Sequence, residues 1–183
     1  MTYDPNDPVN VATKLLTERN ISVVFSAGNT GPGPDTLNPY ALAPWVIGVG
    51  ATDQYGELAD FSSRGSASRG TGPTLVAPGV NVVSLRASGV NLSGLLNLGL
   101  GGDLSTLSLW DILSYTVGTG TSFSAPQVTG SIALMLEANP LLTPAQIRNI
   151  LKQTATPMPN QQFEVGAGML NAYSAVQQAI SAR

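Results

Sequence analysis

The chain has 183 residues and a formal charge of −3, with 43% apolar and only 10% charged residues; that is enough apolar material for one domain with a real core, and it excludes intrinsic disorder. Its 11 acids and 8 Lys and Arg residues are scattered without runs, which excludes the basic patches of nucleic-acid binders and of proteins that adhere to anionic membranes. Neither cysteine nor histidine occurs, so disulfides and thiolate or imidazole metal sites are excluded, and no cofactor is called for.

The first residues, MTYDPNDPVN, are acidic and polar, unlike a secretory signal, and no stretch reaches the ~18 uninterrupted apolar residues of a membrane span. A soluble protein is expected, cytoplasmic rather than secreted. The 20 glycines and 13 prolines demand many tight turns, and so few charges leave apolar surface that favours a homo-oligomer.

Asp7 followed by Pro8 predicts a helix start, with Val11, Ala12, Leu15 and Leu16 as its apolar stripe and Asn20 as its stop. Ile21 to Phe25 is β-branched and aromatic and reads as a buried strand that delivers Asn29 to a turn at its carboxyl end. Trp45 to Ala51 reads as a second strand and Thr74 to Ala77 as a third, shorter one. Strands alternating with helices predict an α/β fold with a parallel sheet, in which ligands bind beyond the carboxyl ends of the strands.

Residues 87–117 stand apart as a leucine- and glycine-rich insertion within a single domain spanning 1–183. With its leucines and Trp110, the 88–116 segment is the expected adhesive between copies; a lid over its own core and an apolar funnel for ester or lipid-like substrates are the other readings. Asp103 and Asp111 within it read as capping or surface acids, with Asp111 as a weaker candidate for a base.

No charged residue occurs from Thr121 to Leu136, and apolar residues surround the axis, which predicts a helix buried on nearly all sides. Thr143-Pro144-Ala145-Gln146 combines an N-cap, a helix-starting proline and a capping-box glutamine, ahead of Ile147, Ile150 and Leu151 as the buried face. A last helix begins near Asn171, with Ala172, Val176, Ala179 and Ile180 facing inward.

Ser122 falls in the first turn of the uncharged helix, where the helix dipole favours negative charge and free N–H groups can donate to an oxyanion. Taken alone, Gly-Thr-Ser before a helix is more often a cap than a nucleophile. Six blocks in order alter that reading: VVFSAGN at 23–29, VIGVGATD at 46–53, FSSRG at 61–65, VAPGVNVVSL at 76–85, GTSFSAP at 120–126 and NPLLTPAQIRNILKQTAT at 139–156. With these the chain resembles the subtilisin-like serine peptidases, and most of all their bacterial intracellular-type branch.

The resemblance implies a partial doubly wound parallel sheet of the subtilisin type with a buried nucleophile helix. It implies Ser122 as nucleophile, with the Asn29 side chain and the Ser122 backbone N–H as oxyanion donors. Ala27 and Gly28 would help to line the substrate pocket, and the substrate would be an ester or a peptide. The family's aspartate and histidine motifs have no counterpart here, and Gln127 stands where the family often has histidine. The chain is therefore expected to be the C-terminal half of such a peptidase, with one side of its sheet uncovered.

A serine hydroxyl needs a base to take its proton. Lys14 and Lys152 are predicted to face solvent, and the glutamate- and aspartate-based sedolisins place an aspartate where Asn29 stands. Two functions follow from this reading: a serine hydrolase weak on peptides and better on activated esters, or a non-catalytic, self-associating fragment.

Overall fold

Asp7 accepts a hydrogen bond from the Val9 N–H at 2.8 Å and Pro8 takes the first helical position, so helix α1 runs over Pro8–Glu18. The structure, a computed structural model, describes residues 3–87, 101–108 and 110–182. Asn20, with φ of 65°, turns the chain out of α1 in the left-handed conformation that asparagine tolerates.

The predicted stripe of α1 faces outward: Val11, Ala12, Leu15 and Leu16 are exposed, whereas Asn10 and Thr13 are buried. The inward side carries polar contacts. Trp45 Nε1 donates to Thr13 Oγ1 at 3.0 Å, and Asn10 Nδ2 donates to the Asp4 carbonyl at 2.8 Å.

Three parallel strands, β1 (Val24–Ser26), β2 (Ile47–Thr52) and β3 (Leu75–Pro78), form the main sheet in the order β1-β2-β3, with Val24 opposite Ile47 and Val49 opposite Leu75. The predicted strands are all present, with shifted ends, but β1 is half-buried rather than buried and Ile21 is exposed. β2 is buried at every position, as a strand covered on both faces must be. Beyond β3, the Val76 N–H donates to the Gly168 carbonyl and the Leu170 N–H to the Val76 carbonyl, at 2.9 and 2.8 Å, so the 168–170 segment closes that edge. Among the described residues β1 ends the sheet on the other side.

Helix α2 (Gly101–Thr106) and strands β4 (Val82–Leu85) and β5 (Tyr115–Gly118) follow β3 in the chain. Helix α3 (Thr121–Ala138) lies on the sheet, and α4 (Pro144–Thr154), the short α5 (Gln162–Val165) and α6 (Ala172–Ser181) complete the chain. Ile47, Val49, Leu75 and Ala77 of the sheet meet Val128, Ile132 and Met135 of α3, and Ile147 and Leu151 of α4 and Ala179 of α6 close the same core. Helix α3 is not buried all round. The sheet takes one side and α6 another, which leaves Thr129, Gly130, Ala133 and Leu134 to solvent. The predicted capping box of α4 is present, with the Thr143 N–H donating to Gln146 Oε1 at 2.8 Å and the Gln146 N–H to Thr143 Oγ1 at 3.3 Å.

Of the 87–117 insertion, residues 88–100 and 109 lie outside the described residues. The described remainder includes β5, which pairs antiparallel with β4, Leu85 opposite Tyr115 and Val83 opposite Val117. Asp103 is not the surface acid expected: it is buried in an ion pair with Arg86. Its carboxylate also accepts from the Val117 N–H at 2.5 Å and the Thr116 hydroxyl at 3.2 Å, while Arg86 Nε donates to the Ile112 carbonyl at 2.7 Å. Burial alone pushes the Asp103 carboxyl up; the Val117 N–H, Arg86 and Thr116 outweigh it and hold the group below the usual carboxylate range.

Candidate active site

Thr121 is the residue on which the site is built. It is fully buried at the first position of α3, and its backbone N–H and its hydroxyl both donate to Asn29 Oδ1, each at 2.9 Å. The same hydroxyl accepts the Gly28 N–H at 3.2 Å. The turn after β1 and the start of α3, 92 residues apart, are thereby locked together.

Because both Thr121 donors occupy Asn29 Oδ1, the amide is oriented and its Nδ2 is turned away from Thr121. A Cβ placed on Gly120 would lie 3.2 Å from that nitrogen, so Asn29 Nδ2 borders the same turn that carries Ser122. Gly120 has φ 150° and ψ 160°, a conformation open essentially to glycine alone. Its N–H donates to the Gly79 carbonyl at 2.7 Å, which anchors the turn to the end of β3.

Ser122 is exposed, and among the described residues its hydroxyl and its backbone N–H make no hydrogen bond. The Thr121 N–H is taken by Asn29 and the Phe123 N–H by the Gly120 carbonyl at 2.9 Å, so the Ser122 N–H is the free donor of the first turn. Two uncharged donors therefore stand at the amino end of α3, beside an accessible hydroxyl. That arrangement can stabilise an oxyanion.

The other candidate residues fall into place around it. Gly28, with φ 109°, comes so near Ser63 that a Cβ would sit 2.8 Å from Ser63 Oγ, whereas Ala27 is fully buried and its carbonyl accepts the Asn38 N–H at 2.7 Å. Ala27 thus supports the turn from beneath. Gln127 Nε2 donates to the Pro78 carbonyl at 2.6 Å and so fastens α3 to β3.

Neither local carboxylate reaches Ser122. Asp103 is held by Arg86, and Asp111 Oδ2 accepts the Ser108 hydroxyl at 2.6 Å. Lys14 and Lys152 are exposed, as the helical patterns predict. Among the described residues no group of three acids, histidines or cysteines could hold a metal ion, and no helix is long and apolar enough to cross a membrane. Sequence reasoning placed Ser122 and Asn29 but gave Thr121 no role beyond standing at the helix start; the signal available was a small hydroxyl residue between the turn glycine and the serine.

The model of the subtilase family matches residues 4–168. The chain is 31% identical over 183 residues to serine protease AprX of Bacillus subtilis (strain 168), covering 95% of this chain and 39% of that protein. It is 32% identical over 171 residues to subtilisin Savinase of Lederbergia lenta, covering 93% of this chain and 52% of that protein. Among solved structures, the prenylagaramide maturation protease PagA superposes with a TM-score of 0.70 at 26% identity, over 92% of this chain and 54% of that one. The chain thus spans about half or less of the length of these relatives.

The expectation of a truncated C-terminal half is corrected by these matches, which run over nearly the whole chain as subtilase fold. The physical reason lies in the core: strands β2 and β3 with α3, α4 and α6 enclose one continuous apolar cluster from Ile47 to Ala179.

Proposed function

Because this chain belongs to the subtilase family, we propose that it is a serine hydrolase in which the Ser122 oxygen attacks an acyl carbon as its proton passes to solvent or hydroxide. The carbonyl oxygen becomes an oxyanion held by the Asn29 side-chain amide and the Ser122 backbone N–H. The observation that carries this reading is the double hydrogen bond from Thr121 to Asn29 Oδ1, which preorganises the amide before substrate arrives. Gly28 and, beneath it, Ala27 form the neighbouring wall for the acyl side chain.

No histidine exists in these 183 residues, and that shapes the substrate preference. Collapse of the tetrahedral intermediate expels the leaving group. A phenolate or alkoxide departs with the electron pair unprotonated, whereas an amine needs a proton delivered to it. Activated esters are therefore the better substrates and peptides the poorer. An oxyanion hole and binding alone supply about 10³-fold over water when a triad lacks a member. Water then attacks the acyl-Ser122 ester, restoring the hydroxyl and releasing the acid.

The test is hydrolysis of a short-chain nitrophenyl ester by the chain and by Ser122→Ala, paired with phosphonate labelling read by mass spectrometry. Loss of the ester rate in the variant, and a label on Ser122, are expected; an unchanged rate sinks the reading.

A second reading, self-association through an apolar face, has its own support. Leu85 is 77%, Trp110 85% and Leu113 66% exposed, with Val83 on the same face of the β4–β5 ribbon as Leu85. We place this face on an insertion, 87–117 with its β4 partner, inside a single domain. A native mass of a multiple of the 18.9 kDa chain, reverting to monomer in Leu85→Lys, is the expected outcome; a monomeric parent refutes it.

A further inference from the structure

A cavity of about 370 Å³ opens beside the amino end of β3, where Pro73 and Thr74 lead into the strand. It lies at the opposite end of the sheet from Asn29, which follows β1 at its carboxyl end, and shares no residue with the candidate active site. Its walls are the 66–74 loop, one face of α4, and the start of α5 with the turn that follows it.

Charge in this cavity has one sign. Arg148 and Lys152 line it, and no acidic side chain does. Four residues apart on α4, the two cations stack on one helix face, about 5–6 Å apart at Cβ. Among the described residues neither is in an ion pair, and Arg148 Nε is buried with no hydrogen-bond partner. Burial pulls the Arg148 guanidinium below its ordinary value. Glu164 of α5 cannot answer this charge, because its carboxylate is taken by Arg64 at 2.7 Å and by the Gln161 N–H at 3.0 Å.

Arg148 is half-buried, and a guanidinium partly withdrawn from water, with its Nε unpartnered, gains from an anion beside it. Uncharged donors are at hand: the Thr71 hydroxyl accepts the Ser66 N–H at 3.0 Å and so keeps its own proton to give, and the Gln161 and Gln162 residues border the same space. The volume, near the lower end of the range for ligand pockets, suits a small molecule.

We propose that this cavity is a binding site for a small dianion of the phosphate type, held between Arg148 and Lys152. The site is independent of acyl chemistry at Ser122. Arg148 also borders a second cavity of about 330 Å³ with Trp45, whereas Lys152 lines only the first, so Lys152 reports on this site alone.

The experiment is calorimetric titration of the 183-residue chain with inorganic phosphate at low ionic strength, against sodium chloride at matched ionic strength. Saturable binding is expected with phosphate and not with chloride. Loss of one charge-assisted contact, in Lys152→Gln or in Arg148→Gln, should weaken it about tenfold or more. Lys152 is exposed, so its variant keeps the test decisive even if Arg148→Gln fails to fold. Ser122→Ala should bind as the parent does. A phosphate response no different from chloride, an affinity unchanged in Lys152→Gln, or binding lost in Ser122→Ala overturns the proposal.

Discussion

Thr121→Val probes the clamp that orients Asn29. The substitution keeps the side-chain volume and removes the hydroxyl, which donates to Asn29 Oδ1 at 2.9 Å and accepts the Gly28 N–H at 3.2 Å. Two part-buried hydrogen bonds disappear and the Gly28 N–H is left without its acceptor, a loss of about 1–3 kcal/mol of stability. Catalysis should fall by less than complete loss of the donor, because the Thr121 N–H still holds Asn29 Oδ1 at 2.9 Å. The known scale for removing one such donor in a subtilisin is about 10²–10³ in kcat; with one of two tethers left, a loss of about ten- to a hundredfold is expected. The assay is Ser122-dependent hydrolysis of a nitrophenyl ester, with urea unfolding alongside, and Thr121→Ser should recover most of both. Should Thr121→Val stay within about twofold of the parent rate while Asn29→Ala loses a hundredfold, the hydroxyl does not position the amide and the reasoning is wrong.

Gly120→Ala forces a Cβ to within 3.2 Å of Asn29 Nδ2 at φ 150°; backbone strain of about 1–3 kcal/mol and a fall in ester hydrolysis should appear together in melting and rate measurements. Asp103→Asn leaves Arg86 buried without its counter-ion, a loss of about 3–5 kcal/mol in denaturant titration. Asp103 also sets an acid limb. Its folded carboxyl is held below the unfolded value, so its stabilisation is full above about pH 4 and is lost as pH falls through the lowered folded value, a slope that Asp103→Asn should not show. Thr143→Ala removes the cap of α4 and should cost about 1 kcal/mol, read as a lower urea midpoint at unchanged slope.

The parts of the fold legible in the sequence were those specified locally. The capping box at Thr143 and Gln146, the β-branched and aromatic run leading into β1, and helix α3, uncharged from Thr121 to Leu136, each carry their signal within a few residues. Features decided by distant partners were not legible. The apolar stripe of α1 does not mark its buried side: Thr13 meets Trp45, 32 residues on, and nothing within the helix announces that contact. Asp103 looks like a surface acid because its partner Arg86 lies 17 residues earlier, at the near edge of a leucine-rich stretch without pattern. In the candidate site, the motifs point to Ser122 and Asn29; the bond network that holds the Asn29 amide was not legible, because it joins a turn and a helix start 92 residues apart.

The same network bears on how the proposed activity depends on pH. In a site whose base is histidine, the rate falls as the imidazole protonates, giving an acid limb near pH 6–7. Here there is no histidine and no cysteine, and the groups that hold Asn29 are a backbone amide and a threonine hydroxyl, neither of which titrates in that range. The oxyanion donors are therefore equally well placed at pH 6 and at pH 9. What varies is removal of the Ser122 proton. Asp103 is locked to Arg86 and Asp111 is bonded to Ser108, so on the proposed reading the proton would pass from these 183 residues to solvent or hydroxide. The Ser122-dependent ester rate should then climb without a plateau from about pH 6 to 9, approaching tenfold per unit. A plateau with an apparent pKa near 6–7 in the kcat profile, abolished by Ser122→Ala, would require a base that these residues do not supply and would end the hydroxide account.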